Sequence, residues 1–106
     1  MHRLPETFKA LGDPLRLRLF YLLSCHDELC VCHLTEALSL PQSTVSRHLG
    51  VLRHAGLVGT RRDGKWMHYR LADGPGRHLA DLIRQEMEEE LTHDLEQLNH
   101  ALQQCA

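Results

Sequence analysis

The fold of this 106-residue chain is decided by residues 41–56, which read PQSTVSRHLGVLRHAG. Val45, Leu49 and Leu52 lie four and three positions apart, so they fall on one face of an α-helix. Gly56 is a typical helix stop. The other faces carry polar, small and basic residues. The stretch therefore predicts an amphipathic helix over 41–55, buried on one side and open to a partner on the other.

A second, shorter helix is predicted just before it, over residues 32–38, with Ser39 and Leu40 as the turn. Two helices at this spacing are typical of a helix-turn-helix. An ordinary surface helix has a charged outer face too, so the DNA-binding interpretation depends on agreement with the rest of the chain. We expect the following residues at the major groove: Gln42, Ser43, Thr44, Ser46 and Arg47.

A β-hairpin is predicted after Gly56. Residues 57–62 and 65–71 flank Asp63-Gly64, a dipeptide that favours a two-residue type I′ turn. Arg61, Arg62 and Lys65 lie near the tip of this hairpin, where they are expected to touch the DNA backbone or minor groove. The sequence thus predicts a winged helix-turn-helix, mainly α with one hairpin.

Two further helical regions frame this unit. Near the start of the chain two helices are expected to meet at Asp13-Pro14, with Asp13 as N-cap and Pro14 at the first helical position. At the end, residues 77–103 predict one helix roughly 40 Å long. We expect its apolar stripe to pack on a second subunit, giving a homodimer that reads two half-sites. The stripe consists of Leu79, Ile83, Met87, Leu91, Leu95, Leu98 and Leu102.

Composition is consistent with one domain over residues 1–106, since the chain is 42% hydrophobic and too short for two cores. The net charge of −2 hides an asymmetry. Between residues 42 and 70 Asp63 is the only acidic residue among several basic ones, whereas the final helix is acidic. The basic segment is expected to face double-stranded DNA. No apolar run approaches the roughly 18 residues that a membrane span needs, so a cytoplasmic protein without a membrane partner is expected.

Cys30 and Cys32 lie beside the start of the shorter helix, in ELCVCHL, residues 28–34. A single cysteine is often an inert core residue, but a pair at a helix N-terminus favours the thiolates that bind soft metals. Residues two apart on an intact helix project about 200° apart. A ligand shared by both thiols is therefore expected to unwind or tilt the first turn and to lower DNA affinity by linkage.

Four segments together resemble the ArsR/SmtB family of metal-sensing repressors: ELCVC (28–32), STVSRHL (43–49), LRHAGLV (52–58) and GKWMHYRL (64–71). The resemblance covers nearly the whole chain. It implies a winged helix-turn-helix homodimer that represses a metal-resistance operon by occupying operator DNA. It also implies release from that DNA when an inducing ion binds.

Within the family the chain is most similar to the arsenic-responsive branch, whose motif continues ELCVCDLC. His33 stands in place of the motif's Asp, and Thr35 in place of its third Cys. The resemblance implies Cys30 and Cys32 as ligands for arsenite or antimonite, acting as inducers rather than permanent cofactors. The third ligand stays open between Cys25, Cys105 and an exogenous group, with Cys25 preferred.

Other inducers remain alternatives. The cadmium and lead branch uses further cysteines near the N-terminus, and residues 1–24 contain none. A zinc site on the last helix would use Asp81, His93 and Glu96, but Ile83 occupies the position of a needed histidine. His33 is a candidate substitute ligand. A thiol redox or persulfide sensor is the remaining regulatory alternative.

An enzyme is not expected. Cys30 or Cys32 with His33 imitates a nucleophile and its base, but so short a chain offers neither a substrate pocket nor an oxyanion hole. A structural disulfide framework built from the four cysteines is also disfavoured, because a Cys-x-Cys pair in a helical pattern suits metal or redox chemistry better.

Overall fold

The computed structural model describes residues 4–104, so the prediction for Cys105 lies outside the described residues. Five helices and three strands follow one another along the chain. In order they are α1 (Leu4–Leu11), α2 (Pro14–Ser24), β1 (Leu29–Cys30), α3 (Val31–Leu38), α4 (Gln42–His54), β2 (Val58–Asp63), β3 (Trp66–Leu71) and α5 (Pro75–Gln104). This is the predicted winged helix-turn-helix, mainly α with a hairpin.

The junction of α1 and α2 confirms the predicted cap. Asp13 has extended backbone angles, and its carboxylate accepts hydrogen bonds from the amides of Leu15 at 2.8 Å and Arg16 at 3.2 Å. Pro14 occupies the first turn, where its missing N–H costs nothing. The backbone hydrogen bond from Arg16 holds the pKa of Asp13 below its ordinary value, against the effect of desolvation.

The helix-turn-helix is built as the apolar spacing predicts. Val45, Leu49 and Leu52 of α4 are fully buried, each with 0% exposure. Ser39 ends α3 in the left-handed region at a φ of 55°, which turns the chain toward α4. Ala55 caps the C-terminus of α4, and Gly56 follows at a φ of 81°. The spacing of the apolar residues thus correctly predicted which face of α4 is buried.

The wing differs from the prediction in its turn. β2 and β3 pair antiparallel from Val58↔Leu71 to Asp63↔Trp66, so the two-residue turn is Gly64-Lys65 and not Asp63-Gly64. Gly64 takes a φ of 63°, and Lys65 is not among the described residues with positive φ. A glycine with positive φ at the first central position alone matches a type II′ turn rather than type I′.

A third strand completes the sheet in the order β1-β3-β2. β1 has only two residues, and its register with β3 is Leu29↔Tyr69 and Cys30↔His68. Sequence pattern did not predict it, because two residues are too few to show strand alternation. As a result, the short strand that carries Cys30 is hydrogen-bonded directly to β3 of the wing.

Helix α5 packs against α2 and α3 of its own chain. Ile83, Leu91 and Leu98 from the predicted stripe are buried there, so the stripe is used within the protomer, not reserved for a second subunit as we had expected. Arg18 on α2 joins the buried Asp94 on α5 through two hydrogen bonds. Within residues 4–104, no helix is both long and apolar enough to cross a bilayer.

Candidate thiol site and nucleic-acid interface

Cys30 and Cys32 lie at the joint between the wing sheet and α3. Cys30 ends β1 and caps α3 with extended backbone angles, φ −76° and ψ 146°, while Cys32 is the second residue of the helix. The Cys32 thiol donates a hydrogen bond to the Cys30 Sγ at 3.0 Å. Because Cys30 is outside the helix, the 200° separation expected for two helical residues was wrong. The two sulfur atoms face each other without any unwinding of α3.

The pair opens onto a cavity of about 310 Å³, lined by Cys30, Cys32, His33, Trp66 and His68. The His33 Nδ1 atom is buried and makes no hydrogen bond within residues 4–104. Burial also lowers the pKa of His33, which favours the neutral ring with one unprotonated nitrogen. Soft thiol and borderline imidazole donors thus share one cavity.

Cys25 stands apart from this pair. It caps the C-terminus of α2 and lines two other cavities, one with His26, Asp27 and Arg77, the other with Tyr21. Burial and, after it, the neighbouring Cys25 raise the pKa of Tyr21. Cys25, Cys30 and Cys32 are all outside disulfides.

Across the described part of the chain, no group of three or more His, Cys, Asp or Glu residues is placed to hold a metal ion. The structure brings together two of the predicted thiol ligands, Cys30 and Cys32, and keeps Cys25 apart from them. On α5, Asp81 is exposed and ion-paired with Arg84, and His93 and Glu96 are exposed.

The predicted DNA-contacting residues lie on two neighbouring elements. On α4, Gln42, Ser43 and Arg47 are exposed, and Thr44 and Ser46 are half-buried. Helix α4 is also in contact with α2, because Arg16 Nη1 lies 3.2 Å from His48 Nδ1.

On the wing, Arg61, Arg62 and Lys65 are all exposed. The Lys65 ammonium also lies 5.1 Å from the centre of the Trp66 ring, within range of a cation–π contact. The wing tip therefore presents three cations to solvent, two on β2 and one in the Gly64-Lys65 turn.

Sequence reasoning missed Glu28. Its carboxylate accepts hydrogen bonds from Arg61 Nε at 3.0 Å and Arg61 Nη2 at 2.6 Å, and it lies 3.9 Å from His68 Nδ1. The hydrogen bond from Arg61 holds the pKa of Glu28 below its ordinary value. The available signal was an acid directly before Cys-x-Cys, but the partner lies 33 residues later, beyond any local pattern.

Comparisons with known proteins identify the group to which this geometry belongs. Residues 13–60 match the family described as "Bacterial regulatory protein, arsR family". The arsenical resistance operon repressor of Bacillus subtilis is 38% identical over 73 residues, covering 69% of this chain and 70% of that protein. The chain belongs to the ArsR family. Its relatives are DNA-binding transcriptional regulators, not enzymes.

Other relatives of this ArsR-family chain carry more specific names. The arsenical resistance operon repressor of Escherichia coli is 51% identical over 67 residues, which are 63% of this chain and 57% of that repressor, so the match spans little more than half its length. Further relatives are named for cadmium resistance and for SmtB. These names support a transcriptional repressor of the ArsR/SmtB family and leave the inducing metal open.

Among solved structures, the homodimeric winged helix-turn-helix DNA-binding domain Mb0332 from Mycobacterium bovis, described as a possible ArsR-family transcriptional regulator, is similar to this ArsR-family chain. The TM-score is 0.73 at 30% identity, covering 87% of this chain and 84% of that domain. The likeness therefore covers a larger share of the chain than residues 13–60, which match the family model.

Proposed function

We propose that this ArsR-family regulator is a homodimer that represses a metalloid-resistance operon and leaves its operator when trivalent arsenic or antimony binds Cys30 and Cys32. The observation that carries the proposal is the 3.0 Å approach of the two Sγ atoms at the joint of the wing sheet and α3. A ligand held there touches the wing sheet and α3, the helix that packs against α4. The protein would work in the cytoplasm, where the operator is.

The chemistry of the pair suits a trivalent metalloid. Two thiols condense with As(OH)₃, each losing its proton as one hydroxide leaves as water, so that two As–S bonds replace two As–O bonds. One hydroxide stays on arsenic unless a third thiol replaces it. Cys25 faces other cavities, so it would act as the third ligand only after the segment between α2 and β1 moves. Trivalent arsenic and antimony are soft centres, so they favour sulfur as each of their ligands.

DNA binding is assigned to α4 and the wing. The exposed polar positions of α4 fit the major groove, with Arg47 able to donate two hydrogen bonds to guanine. Arg61, Arg62 and Lys65 fit backbone or minor-groove contacts beside it. Linkage then requires the metalloid to bind the DNA-free conformation more tightly than the DNA-bound one.

Dimerisation is supported by two observations. The Mycobacterium bovis domain is homodimeric and covers most of the same length. In addition, Phe8 on α1 is 59% exposed and Leu82 on α5 is 51% exposed, although both are large and apolar. Apolar side chains outside the protomer core are what a second copy of α1 and α5 would cover.

The decisive experiment measures operator affinity by fluorescence anisotropy, with and without arsenite, on the reduced protein. Arsenite is expected to release wild type and to leave Cys30→Ser and Cys32→Ser bound, while Cys25→Ser separates a third-ligand role from none. Trp66 is the only tryptophan and lines the cavity, so its emission reports metalloid binding independently of DNA. Arsenite that binds wild type without weakening the DNA complex would refute the proposal.

The sulfur approach also favours a second candidate, a thiol redox switch. Two thiols at 3.0 Å need little movement to form a disulfide when a peroxide accepts their two electrons and leaves as water. Release of operator DNA by peroxide but not by arsenite, reversed by a dithiol reductant, would select this function. Retained DNA binding after complete oxidation would exclude it.

A further inference from the structure

A row of three paired residues crosses the wing sheet. Cys30 on β1 is paired with His68 on β3, and His68 is paired with Arg61 on β2. Directly paired residues on neighbouring strands point to the same face of a sheet. Glu28 lies two positions before Cys30, which places it on that face as well. A thiol, an acid and a wing arginine therefore lie side by side on one surface.

Within this row Glu28 holds Arg61 through a two-point contact. Oε2 accepts from Nε at 3.0 Å and Oε1 accepts from Nη2 at 2.6 Å. His68 Nδ1 approaches the same Oε1 at 3.9 Å. Paired hydrogen bonds of this kind fix the plane of a guanidinium, whereas a single contact leaves it free to rotate.

The contact leaves part of the guanidinium available. Glu28 occupies Nε and Nη2, and the arginine side chain remains 54% exposed. Nη1 is not used by Glu28 and can donate to a phosphate while the other edge stays held. An arginine whose rotamers are already restricted loses less entropy when it binds DNA.

We propose that Glu28 is a positioning residue that orients Arg61 for DNA, and that a ligand on Cys30 and Cys32 lowers operator affinity by withdrawing Glu28 from Arg61. The second half rests on the proposed function. It adds a route from the thiols to the wing that is separate from any change in α3 and α4.

The thiol pair is well placed to move Glu28. Two sulfur atoms bonded to one arsenic have lost their protons, so the present S–H···S hydrogen bond between Cys32 and Cys30 must break and the sulfurs must reorient. Cys30 ends a strand of two residues, which pairs with β3 at two positions, whereas β2 pairs with β3 at six. Short segments at the edge of a sheet open locally before the longer strands do. Glu28, just before that strand, moves with it.

The test begins without any inducer. Operator affinity and its salt dependence are measured for Glu28→Gln, Arg61→Gln and the double variant. Positioning predicts that Glu28→Gln weakens binding about three- to tenfold and that the double variant is no weaker than Arg61→Gln. The salt slope should fall by about one for Arg61→Gln and by a smaller amount for Glu28→Gln.

Charge alone predicts the opposite sign, because removing an acid near DNA should tighten binding. Asp73→Asn is the matched control: it makes the same charge change and removes an exposed ion pair with Arg77 elsewhere on the surface. We expect it to tighten binding slightly or leave it unchanged. Tighter binding by Glu28→Gln, or independent effects of Glu28→Gln and Arg61→Gln, would overturn the positioning role.

The second arm adds arsenite and follows Trp66 emission and operator affinity together. Glu28→Gln should bind arsenite as wild type does, yet show a several-fold smaller loss of operator affinity on binding. An unchanged loss would overturn the route through Glu28. If arsenite fails to release even wild type, the proposed function and this route both fail, and the arm without inducer still decides whether Glu28 positions Arg61.

Discussion

Arg18 on α2 donates two hydrogen bonds to Asp94 on α5, from Nε at 2.7 Å and from Nη2 at 2.9 Å, across 76 positions of sequence. The two members differ in burial, since the Asp94 side chain is 8% exposed and the Arg18 side chain 38%. Loss of the arginine leaves the buried Asp94 side chain without its partner, whereas loss of the carboxylate leaves an arginine that water can reach.

The two single variants should therefore destabilise the protein unequally. Arg18→Gln is expected to lower the free energy of unfolding by about 2 to 3 kcal/mol, because it removes the two hydrogen bonds that the buried Asp94 side chain accepts. Asp94→Asn keeps an acceptor for Arg18 and should cost about 1 kcal/mol. Urea denaturation of both variants at neutral pH measures the difference. Equal losses would contradict the asymmetry.

The cap at Asp13 makes a prediction that depends on pH. Its folded-state pKa lies below the ordinary value of 3.8, so the carboxylate contributes stability above that pH, and this contribution disappears as the pH falls through the folded pKa. Asp13→Ala should cost about 1 kcal/mol at pH 7 and less at pH 3.

Asp13→Asn serves as the matched variant for that measurement. Asparagine accepts the same amide hydrogen bonds without titrating, so its stability relative to Asp13→Ala should stay nearly constant from pH 7 to pH 3. A loss for Asp13→Ala that is the same at both pH values would show that the charge of Asp13 contributes nothing.

Two glycines should respond to alanine with opposite signs. Gly64 has a φ of 63° with nothing within 4 Å of an added Cβ, so Gly64→Ala meets only backbone strain and should cost about 1 kcal/mol. Gly50 lies inside α4, also with open space, and Gly50→Ala should stabilise the helix by about 0.5 to 1 kcal/mol. Thermal unfolding of the two variants compares them directly.

Two basic residues proposed to contact DNA, Arg47 and Lys65, should respond differently to substitution because one is expected to read bases and the other to touch phosphate. Arg47→Ala on α4 is expected to lower operator affinity more than affinity for unrelated DNA, by about 1 to 3 kcal/mol if it reads guanine. Lys65→Ala on the wing should weaken both complexes alike and reduce the salt slope by about one. Competition binding with operator and scrambled duplexes distinguishes the two patterns. Parallel losses for both variants would remove base reading from Arg47.

Local sequence signals predicted most of the fold. Apolar spacing gave the inward face of α4, and the Asp13-Pro14 pair gave the start of α2, because both depend on residues within one or two helical turns. The turn of the hairpin was misplaced by one residue. Asp63-Gly64 and Gly64-Lys65 both put glycine at a central position, and only strand register chooses between them.

The parts that sequence did not predict depend on long-range pairing. β1 exists because two residues add to the edge of β3, and the Glu28 to Arg61 contact follows from that register. The sulfur atoms of Cys30 and Cys32 lie 3.0 Å apart, but the helical geometry expected for them was wrong, because Cys30 belongs to a strand rather than to the helix. Whether Cys25 joins them stays a prediction.

Cys30 is the last residue of a strand and the cap of a helix at the same time. This one residue is therefore part of both the wing sheet and the helix-turn-helix. Under the proposed function, the kind of effector and the kind of response are therefore separable. Exchanging the donor atoms at positions 30, 32 and 33 would change which chemical is detected, while the connection from position 30 to the wing and the helix-turn-helix would stay the same.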